Sequence, residues 1–344
     1  MVSQFHPTLR LGLLLLATGL LLALSGCAGG AATVRAESEN QNSRVSIVVL
    51  HHTAIDFDHS LRVLTKRSSR PVSSHYLIPE PQDPSYKKRG LKVYQLVDED
   101  RRAWHAGTSY WRGRTGLNDQ SIGIELVYVP TCHTQRAASG FAADADEKVE
   151  AAEVCFFPDF ADSQLALLVD LLGGILERHP NIAPTHIVAH SDIAPDRKVD
   201  PGPRFPWQRL HKLGFGAWYD ETTAVRYWEQ FLEAPLPLAN VQAALNAYGY
   251  PIELTGEADA QTKDVLTAFQ MHFRPYEVSG EATPITVAIL FALIEKYYPS
   301  ELPALLVVEA AEETAAAVDE EPATDAPAPG DAATTSDSIE NRQD

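Results

Sequence analysis

The sequence predicts an α/β fold with a mixed central sheet flanked by helices, followed by a small three-helix bundle. Short runs rich in β-branched residues, such as 45–50 and 187–189, have the length and composition of buried strands. Between them, residues 162–178 place leucine, valine and isoleucine at helical spacing, with Asp162 or Ser163 as the expected N-cap. Strands that alternate with helices are typical of a layered α/β domain.

Residues 1–27 resemble the signal of bacterial lipoproteins. Arg10 precedes an apolar run over 11–24 that is too short to cross a bilayer comfortably. Small residues then lead to Cys27, as in the lipobox where such signals are cut and the cysteine is lipidated. The resemblance implies an outer-membrane lipoprotein that faces the periplasm, anchored through Cys27 and a flexible tether over 28–43. The alternative is an ordinary secreted protein with an incidental cysteine.

The α/β domain is expected over residues 44–215. Its strand candidates before the long helix are 45–50, 74–78, 93–97 and 122–127. Polar residues able to carry chemistry follow several of these runs. Strand ends lead into loops, and loops on a rigid scaffold are where functional residues concentrate.

Two further cysteines, Cys132 and Cys155, stand near the ends of the segment 131–156, which is rich in alanine, aspartate and glutamate. In an oxidising compartment a structural disulfide that closes this insertion is the favoured interpretation. A metal role is the alternative, although neither residue has a second cysteine at zinc-ligand spacing.

The net charge of −18 is concentrated at the carboxyl end of the chain. From Glu309 onward there are eleven acidic residues and one basic residue, Arg342, which together contribute −10. The segment 305–344 is therefore expected to be a disordered acidic tail. The rest of the chain is only mildly acidic and has no basic stripe, which argues against nucleic-acid binding.

A second unit is expected over residues 221–300. A first helix includes 241–245 and is stopped by a turn after Tyr248, and a second begins at Asp259 or Thr262. A third helix over 284–298 completes a small three-helix bundle.

The stretch that follows strand 187–189 combines imidazole, ammonium and carboxylate groups in a loop rich in proline and glycine. A histidine and an aspartate from this loop, with a histidine from another strand, would form a zinc site with an open fourth position. His51 and His52 end the first strand, and successive strand side chains point to opposite faces. Only one of the two is therefore expected to face the site.

Five motifs occur in order along the α/β domain: LHHTA at 50–54, SSHYLI at 73–78, WHAG at 104–107, SIGIEL at 121–126, and HSDIAP with KVDPGP between 190 and 203. Together they resemble the zinc-dependent N-acetylmuramoyl-L-alanine amidases of the AmpD and AmiD type, over most of 44–215. The resemblance implies hydrolysis of the amide between the lactyl group of N-acetylmuramic acid and L-alanine in peptidoglycan.

The resemblance also implies roles for individual residues. His51, His190 and Asp200 would bind zinc, with Glu125 as general base. Lys198 would stabilise the oxyanion that develops on the attacked carbonyl. The family usually has an aromatic tyrosine or tryptophan at the position of His52, so His52 is the alternative ligand, although alignment on the following threonine favours His51.

The same resemblance places Trp104, His105 and Gly107 along the groove that holds the muramyl peptide. Core packing of Trp104 and Trp111 is the alternative. His75 is expected to form structural hydrogen bonds. Asp192 and Asp196 are expected to shape the loop.

Residues 241–298 resemble the three-helix peptidoglycan-binding modules of cell-wall hydrolases. Their second half departs from that pattern at 273–275, so the unit is expected either to bind glycan or to be a structural appendage. A recognition protein that binds peptidoglycan without cutting it is the main rival function. Such proteins typically lack a zinc ligand, whereas all three candidate ligands are present here.

Overall fold

A computed structural model of the protein describes residues 34–135 and 152–307. The expected signal with Cys27, the first part of the tether and the tail beyond residue 307 lie outside the described residues. Within the described ranges, no helix is both long and apolar enough to span a membrane.

Nine strands form three sheets. They are β1 Ile47–His52, β2 Tyr76–Ile78, β3 Tyr94–Gln95, β4 Tyr110–Trp111, β5 Arg114–Thr115, β6 Ser121–Leu126, β7 Thr131–Gln135, β8 Ala152–Phe156 and β9 Ile187–Ala189, counted over the described residues. The main sheet has the order β3-β2-β6-β1-β9, and every neighbouring pair is parallel except β2 with β3. The predicted mixed α/β sheet is confirmed.

Strand β1 lies in the interior of the sheet, between β6 and β9, which explains its continuous apolar sequence. Residues 47–50 are buried on both faces, as expected for a strand covered on both sides of a mainly parallel sheet. The strand ends at His52, as predicted, and β6 pairs with all six of its residues. This register sets His51 opposite Glu125.

Four helices belong to the α/β domain: α1 Phe57–Thr65, α2 Asp162–Arg178, α3 His190–Ile193 and α4 Trp207–Lys212. Helix α2 has its predicted bounds, but the predicted N-cap is wrong, because Ala161 occupies that position without a side-chain bond. Gln164 is buried and donates to the carbonyl oxygens of Ile78 and Val127 at 3.2 and 2.8 Å. The start of α2 is thereby fixed to the ends of β2 and β6.

The carboxyl-terminal helices are α5 Glu221–Glu233, α6 Leu238–Tyr248, α7 Ala260–Phe273, α8 Pro284–Tyr297 and α9 Leu302–Leu305. Three of them, α6, α7 and α8, correspond to the expected bundle, and Asp259 caps α7 by accepting from the amide of Thr262. Helix α5 was not expected. Its buried residues are few, and two of them, Tyr227 and Phe231, pack against Phe291 of α8.

The two units share one hydrophobic core. Trp111 lies edge-on to Tyr250, with ring centroids 5.1 Å apart, and its indole donates to the carbonyl of Thr185. Gly249, the C-cap of α6, lies directly against this indole. A Cβ atom at this position would lie only 2.8 Å from the Trp111 ring. The amide of Arg112 donates to the carbonyl of Gly249 at 3.0 Å, so side chains and backbone join the units.

Strands β7 and β8 form a separate antiparallel ribbon. Cys132 lies opposite Cys155 in its register, and a disulfide joins them with a Cα–Cα distance of 4.0 Å. The ribbon thereby bounds the insertion, whose residues 136–151 lie outside the described ranges.

Candidate active site

Three neighbouring parallel strands end at one edge of the main sheet and bring their polar residues together. His51 and Glu125 are the penultimate residues of β1 and β6, and His190 follows β9 directly. Together with Lys198 and Asp200 they line a cavity of about 210 Å³. Parallel sheets present functional groups at the carboxyl ends of their strands, so this arrangement follows from the topology.

The nitrogen and oxygen atoms of three buried side chains form a compact triangle. The Nδ1 atoms of His51 and His190 are 2.9 Å apart, and they lie 3.0 and 3.1 Å from Oδ2 of Asp200. Tetrahedral zinc with bonds of 2.0–2.1 Å separates its ligand atoms by about 3.3 Å. The three donors therefore have the spacing and chemistry of a zinc site, and they form a group able to hold a metal ion.

A chain of hydrogen bonds sets the tautomer of His51. The hydroxyl of Ser121 donates to the carbonyl of Leu117 at 2.6 Å, so its oxygen accepts from Nε2 of His105 at 3.2 Å. Nδ1 of His105 then accepts from Nε2–H of His51 at 2.9 Å. This assignment leaves the lone pair of His51 Nδ1 facing the triangle, as a metal ligand requires.

His190 is oriented in the same way by a different partner. Its Nε2 lies 3.2 Å from the carbonyl oxygen of Ala106, which can only accept a hydrogen bond, so Nδ1 carries the free lone pair. The amide of Ser191 donates to the carbonyl of Asp200 at 3.0 Å. That backbone bond holds the two ligands of this segment next to each other.

Burial keeps the imidazoles of His51 and His105 uncharged. Burial and the neighbouring His190 lower the pKa of His51 to about 4. Burial and the nearby histidines also place the pKa of His105 well below its ordinary value. Neutral rings offer lone pairs near neutral pH, so a metal does not have to displace a proton there.

His52 points away from the triangle. Its Nδ1 lies 3.1 Å from the carbonyl oxygen of Pro201, and its ring packs on Tyr128 with centroids 5.3 Å apart. The alternation of side chains along β1 therefore puts His51 among the three donors and His52 outside them.

Glu125 reaches the cavity with a free carboxylate oxygen. Its Oε2 is buried and has no hydrogen-bond partner among the described residues. Burial, helped by the charge of Asp200 and opposed by that of Lys198, raises the pKa of Glu125 to about 8. A carboxylate with a raised pKa is a stronger base than usual, as general-base catalysis requires.

Lys198 and Asp200 face the cavity together, as an extended local backbone predicts. Both line the cavity, whereas Val199 between them is 54 % exposed. The first part of the same segment departs from the prediction, because residues 190–193 form the short helix α3 rather than a loop. His190 thus occupies the first turn of a helix, where its backbone is held by internal hydrogen bonds.

The three expected substrate-binding residues occupy different environments. Trp104 is 50 % exposed at the cavity, whereas Trp111 is fully buried, so only the latter packs in the core. His105 touches the cavity wall, but both of its ring nitrogens are engaged, by His51 and Ser121. Gly107 does not line the cavity. Substrate contact by Trp104, His105 and Gly107 stays a prediction, and the ring of His105 in addition supports His51.

Other residues of the site were not predicted. Asn118 accepts hydrogen bonds from the amides of His105 and Ala106, which fixes the backbone behind both histidine ligands. Arg197 donates to the carbonyl of Ala106 at 2.6 Å. Asn118 and Arg197 lack a local sequence signal, because their partners are distant along the chain.

His75 forms the structural hydrogen bonds expected of it, since its Nδ1 accepts from the amide of Gly123.

Comparison with known proteins assigns the chain to a family. Residues 41–203 match the model of the N-acetylmuramoyl-L-alanine amidase family, and residues 237–290 match a putative peptidoglycan binding domain. The amidase AmiD of Escherichia coli is 40 % identical over 293 residues, which cover 82 % of this chain and 97 % of AmiD. The chain belongs to the N-acetylmuramoyl-L-alanine amidases.

Solved structures of this family have the same architecture. The crystal structure of AmpDh3 from Pseudomonas aeruginosa matches with a TM-score of 0.67 and 42 % identity, over 79 % of this chain and 99 % of AmpDh3. AmiD of E. coli, in complex with anhydro-N-acetylmuramic acid-L-Ala-D-γ-Glu-L-Lys, matches with a TM-score of 0.63 and 39 % identity. That match covers 79 % of this chain and 97 % of AmiD. These matches show that most of this chain has the fold of the solved amidases.

Proposed function

We propose that this protein is a zinc-dependent amidase that hydrolyses the bond between the lactyl group of N-acetylmuramic acid and L-alanine in peptidoglycan. The observation that carries the proposal is the triangle of His51, His190 and Asp200 beside the free carboxylate oxygen of Glu125. Membership of the amidase family supports the same reaction.

The donor set fits zinc. Two neutral imidazoles and one carboxylate are common ligands of catalytic zinc, and three protein ligands leave one position open. When bound, zinc would polarise the scissile carbonyl and make water more acidic. His51, His190 and Asp200 would hold it.

Glu125 would act as the proton carrier of the reaction. Its free oxygen takes a proton from the attacking water while the new carbon–oxygen bond forms. The same carboxyl group then gives that proton to the nitrogen of L-alanine as the carbon–nitrogen bond breaks. The products are the free lactyl carboxylic acid and a stem peptide with a new amino terminus.

Lys198 would stabilise the negative charge that develops on the carbonyl oxygen. It shares the cavity with Glu125 and the triangle, and its ammonium is near enough to Glu125 to oppose the rise in the pKa of that carboxyl. A fixed cation that faces developing negative charge is worth a few kcal/mol in a site shielded from water.

We also propose that Trp104 contacts the sugar or the first part of the stem peptide. Its ring is half exposed at the cavity, and the aromatic face offers a flat apolar surface. Muramyl peptides are the expected substrates, since two solved relatives carry such ligands: AmiD the anhydro-muramyl tripeptide and AmpDh3 an anhydromuramic pentapeptide. A comparison of anhydro-muramyl with ordinary muramyl substrates decides which of them this enzyme prefers.

The lipobox-like sequence that ends at Cys27 supports a proposal for the location of the enzyme. We propose an outer-membrane lipoprotein that faces the periplasm, anchored by a lipid on Cys27. Replacement of Cys27 by serine should release the protein from the membrane fraction. Retention in that fraction would contradict the anchor.

The carboxyl-terminal helices are proposed to bind peptidoglycan, in keeping with their match to a peptidoglycan-binding domain. Sedimentation of the full-length Glu125→Gln protein with insoluble peptidoglycan measures this binding without digestion of the ligand. Substitutions on the exposed surface of this unit should reduce the amount of protein that sediments. If they leave that amount unaltered, the unit is a structural appendage.

Mass spectrometry of digested muropeptides tests the proposed reaction. The wild-type enzyme should release stem peptides, whereas Glu125→Gln should lower kcat about 10²- to 10⁴-fold with its zinc content unchanged. His52→Ala serves as the matched control for zinc binding, because its side chain lines the cavity but lies outside the triangle, and it should retain zinc. Intact muramyl-peptide amides after wild-type digestion with zinc would favour a recognition protein that does not cut.

A further inference from the structure

Asp192 is completely buried, although it lies two residues after the proposed ligand His190. Its carboxylate accepts three hydrogen bonds. The backbone amide of Ala189 donates to Oδ2 at 2.8 Å, the hydroxyl of Tyr250 to Oδ1 at 2.7 Å, and Nδ1 of His272 to Oδ2 at 2.7 Å. The first donor belongs to the α/β domain, and the other two belong to the carboxyl-terminal helices.

A buried carboxylate is stable only when its oxygens are fully hydrogen-bonded. Ala189 supplies one of the three donors, so Asp192 depends on the second unit for the others. His272 is itself held firmly, because its ring stacks between Trp207 at 3.7 Å and Phe273 at 3.9 Å. Tyr250 is equally fixed, since it is fully buried against Trp111.

Asp192 in turn determines where His190 lies. Its bond to the amide of Ala189 holds the backbone at the residue directly before His190, at the start of helix α3. The amide of Ser191, on the other side of His190, is tied to Asp200. A movement of α3 would therefore displace two of the three donors of the triangle.

We infer that Tyr250 and His272 are positioning residues for the metal site, acting through Asp192 on His190. The carboxyl-terminal helices thus supply side chains that hold Asp192 behind the metal centre. This role is separate from any binding of peptidoglycan. This inference rests on the zinc site proposed above. Residues that orient metal ligands in this way typically change metal affinity or activity by 10- to 100-fold when they are replaced.

Full-length variants test the inference with matched controls. Tyr250→Phe and His272→Leu each remove one donor to Asp192, whereas His272→Asn keeps a donor close to the position of Nδ1. Tyr227→Phe is the control, because its hydroxyl also donates to a carboxylate, that of Glu295 at 2.6 Å, within the helical unit. The readouts are zinc affinity in competition with a chromogenic chelator, and kcat and KM on a soluble muramyl tripeptide.

Tyr250→Phe and His272→Leu should each lower zinc affinity about tenfold and reduce kcat, with KM changed less than about twofold. Tyr227→Phe should match the wild type, and His272→Asn should recover most of the loss. Because the substrate is soluble, weaker attachment to the cell wall does not produce this result.

Wild-type zinc affinity in both Tyr250→Phe and His272→Leu would overturn the inference. Tyr250→Phe removes a single oxygen atom, so it remains informative where His272→Leu does not fold. A wild-type protein that binds zinc but cleaves no muramyl peptide would refute the proposed function and leave the ranking of zinc affinities as the test of this inference.

Discussion

Replacement of Gly123 by alanine should displace His105, the partner of the metal ligand His51, although Gly123 itself does not line the cavity. A Cβ atom on Gly123 would lie 2.4, 2.6 and 2.7 Å from three atoms of the His105 ring. Carbon atoms pack at about 3.5–4.0 Å, so the ring must move by roughly 1 Å. The ring has little room, because His51 and Ser121 hold both of its nitrogens and His75 lies beside it.

The cost can be estimated from these contacts. Overpacking in a close-packed core destabilises by about 1–3 kcal/mol, and loss of the bond between His105 and His51 adds about 0.5–1.5 kcal/mol. We therefore expect Gly123→Ala to lower the free energy of unfolding by about 1.5–4.5 kcal/mol. Zinc affinity should fall about 10- to 100-fold, because His51 loses the partner that orients it.

Urea unfolding of the metal-free protein and zinc competition measure the two effects separately. Gly173→Ala in helix α2 is the control, since its added Cβ would meet only Phe215 at 3.9 Å, an ordinary contact. That control should be neutral or stabilise by up to about 1 kcal/mol. Gly123→Ala combined with His105→Ala should recover part of the stability but none of the zinc affinity. If Gly123→Ala matches Gly173→Ala in both measurements, the role assigned to His105 is wrong.

Three further predictions follow from the site and its surroundings. Zinc at 100- to 1000-fold above its Kd should stabilise the wild type by about 2.7–4 kcal/mol, whereas Asp200→Asn should show no such response in thermal unfolding. Trp104→Ala should raise KM about tenfold with unchanged stability, because its ring is half exposed; an unchanged KM would remove it from the substrate groove. Burial alone would raise the pKa of Glu99, but hydrogen bonds from Arg178, Tyr76 and His179 lower it from 4.5 to about 2. A depressed pKa stabilises the fold above pH 4.5, and this contribution disappears as the pH falls towards 2. Glu99→Gln should therefore lower the free energy of unfolding by about 2 kcal/mol at pH 7 and by almost nothing near pH 2. The effect at pH 7 is limited because Arg178 is half exposed and solvent screens its charge. An equal cost at both pH values in urea unfolding would contradict the ionic origin.

Local patterns predicted the elements that build the site. The run 187–189 and the helix 162–178 have their predicted bounds, because apolar periodicity directly reflects which side chains face a core. Helix α5 escaped prediction because only three of its residues are buried, among them Tyr227 and Phe231. Such a narrow apolar face forms a helix only when α8 is there to cover it.

For the candidate ligands, too, the sequence predicts one part and tertiary packing decides the other. Ordered motifs predicted His190, Asp200 and His51, with His52 as the alternative, but which of the two adjacent side chains reaches the triangle depends on the face of β1 that is turned towards it. Pairing of β1 with β6 and β9 determines that face, and no property of the two residues themselves does so.

The sequence by itself determined the fold class, the amidase family and the chemical types of the site residues, because these are encoded in local spacing and in ordered motifs. Only the tertiary structure decided the supporting contacts: His105 with Ser121 behind His51, and Asp192 with His272 behind His190. Asp192 and His272 are 80 residues apart. Hydrogen bonds over such distances depend on the packing of two units against each other, which leaves no periodic trace along the chain.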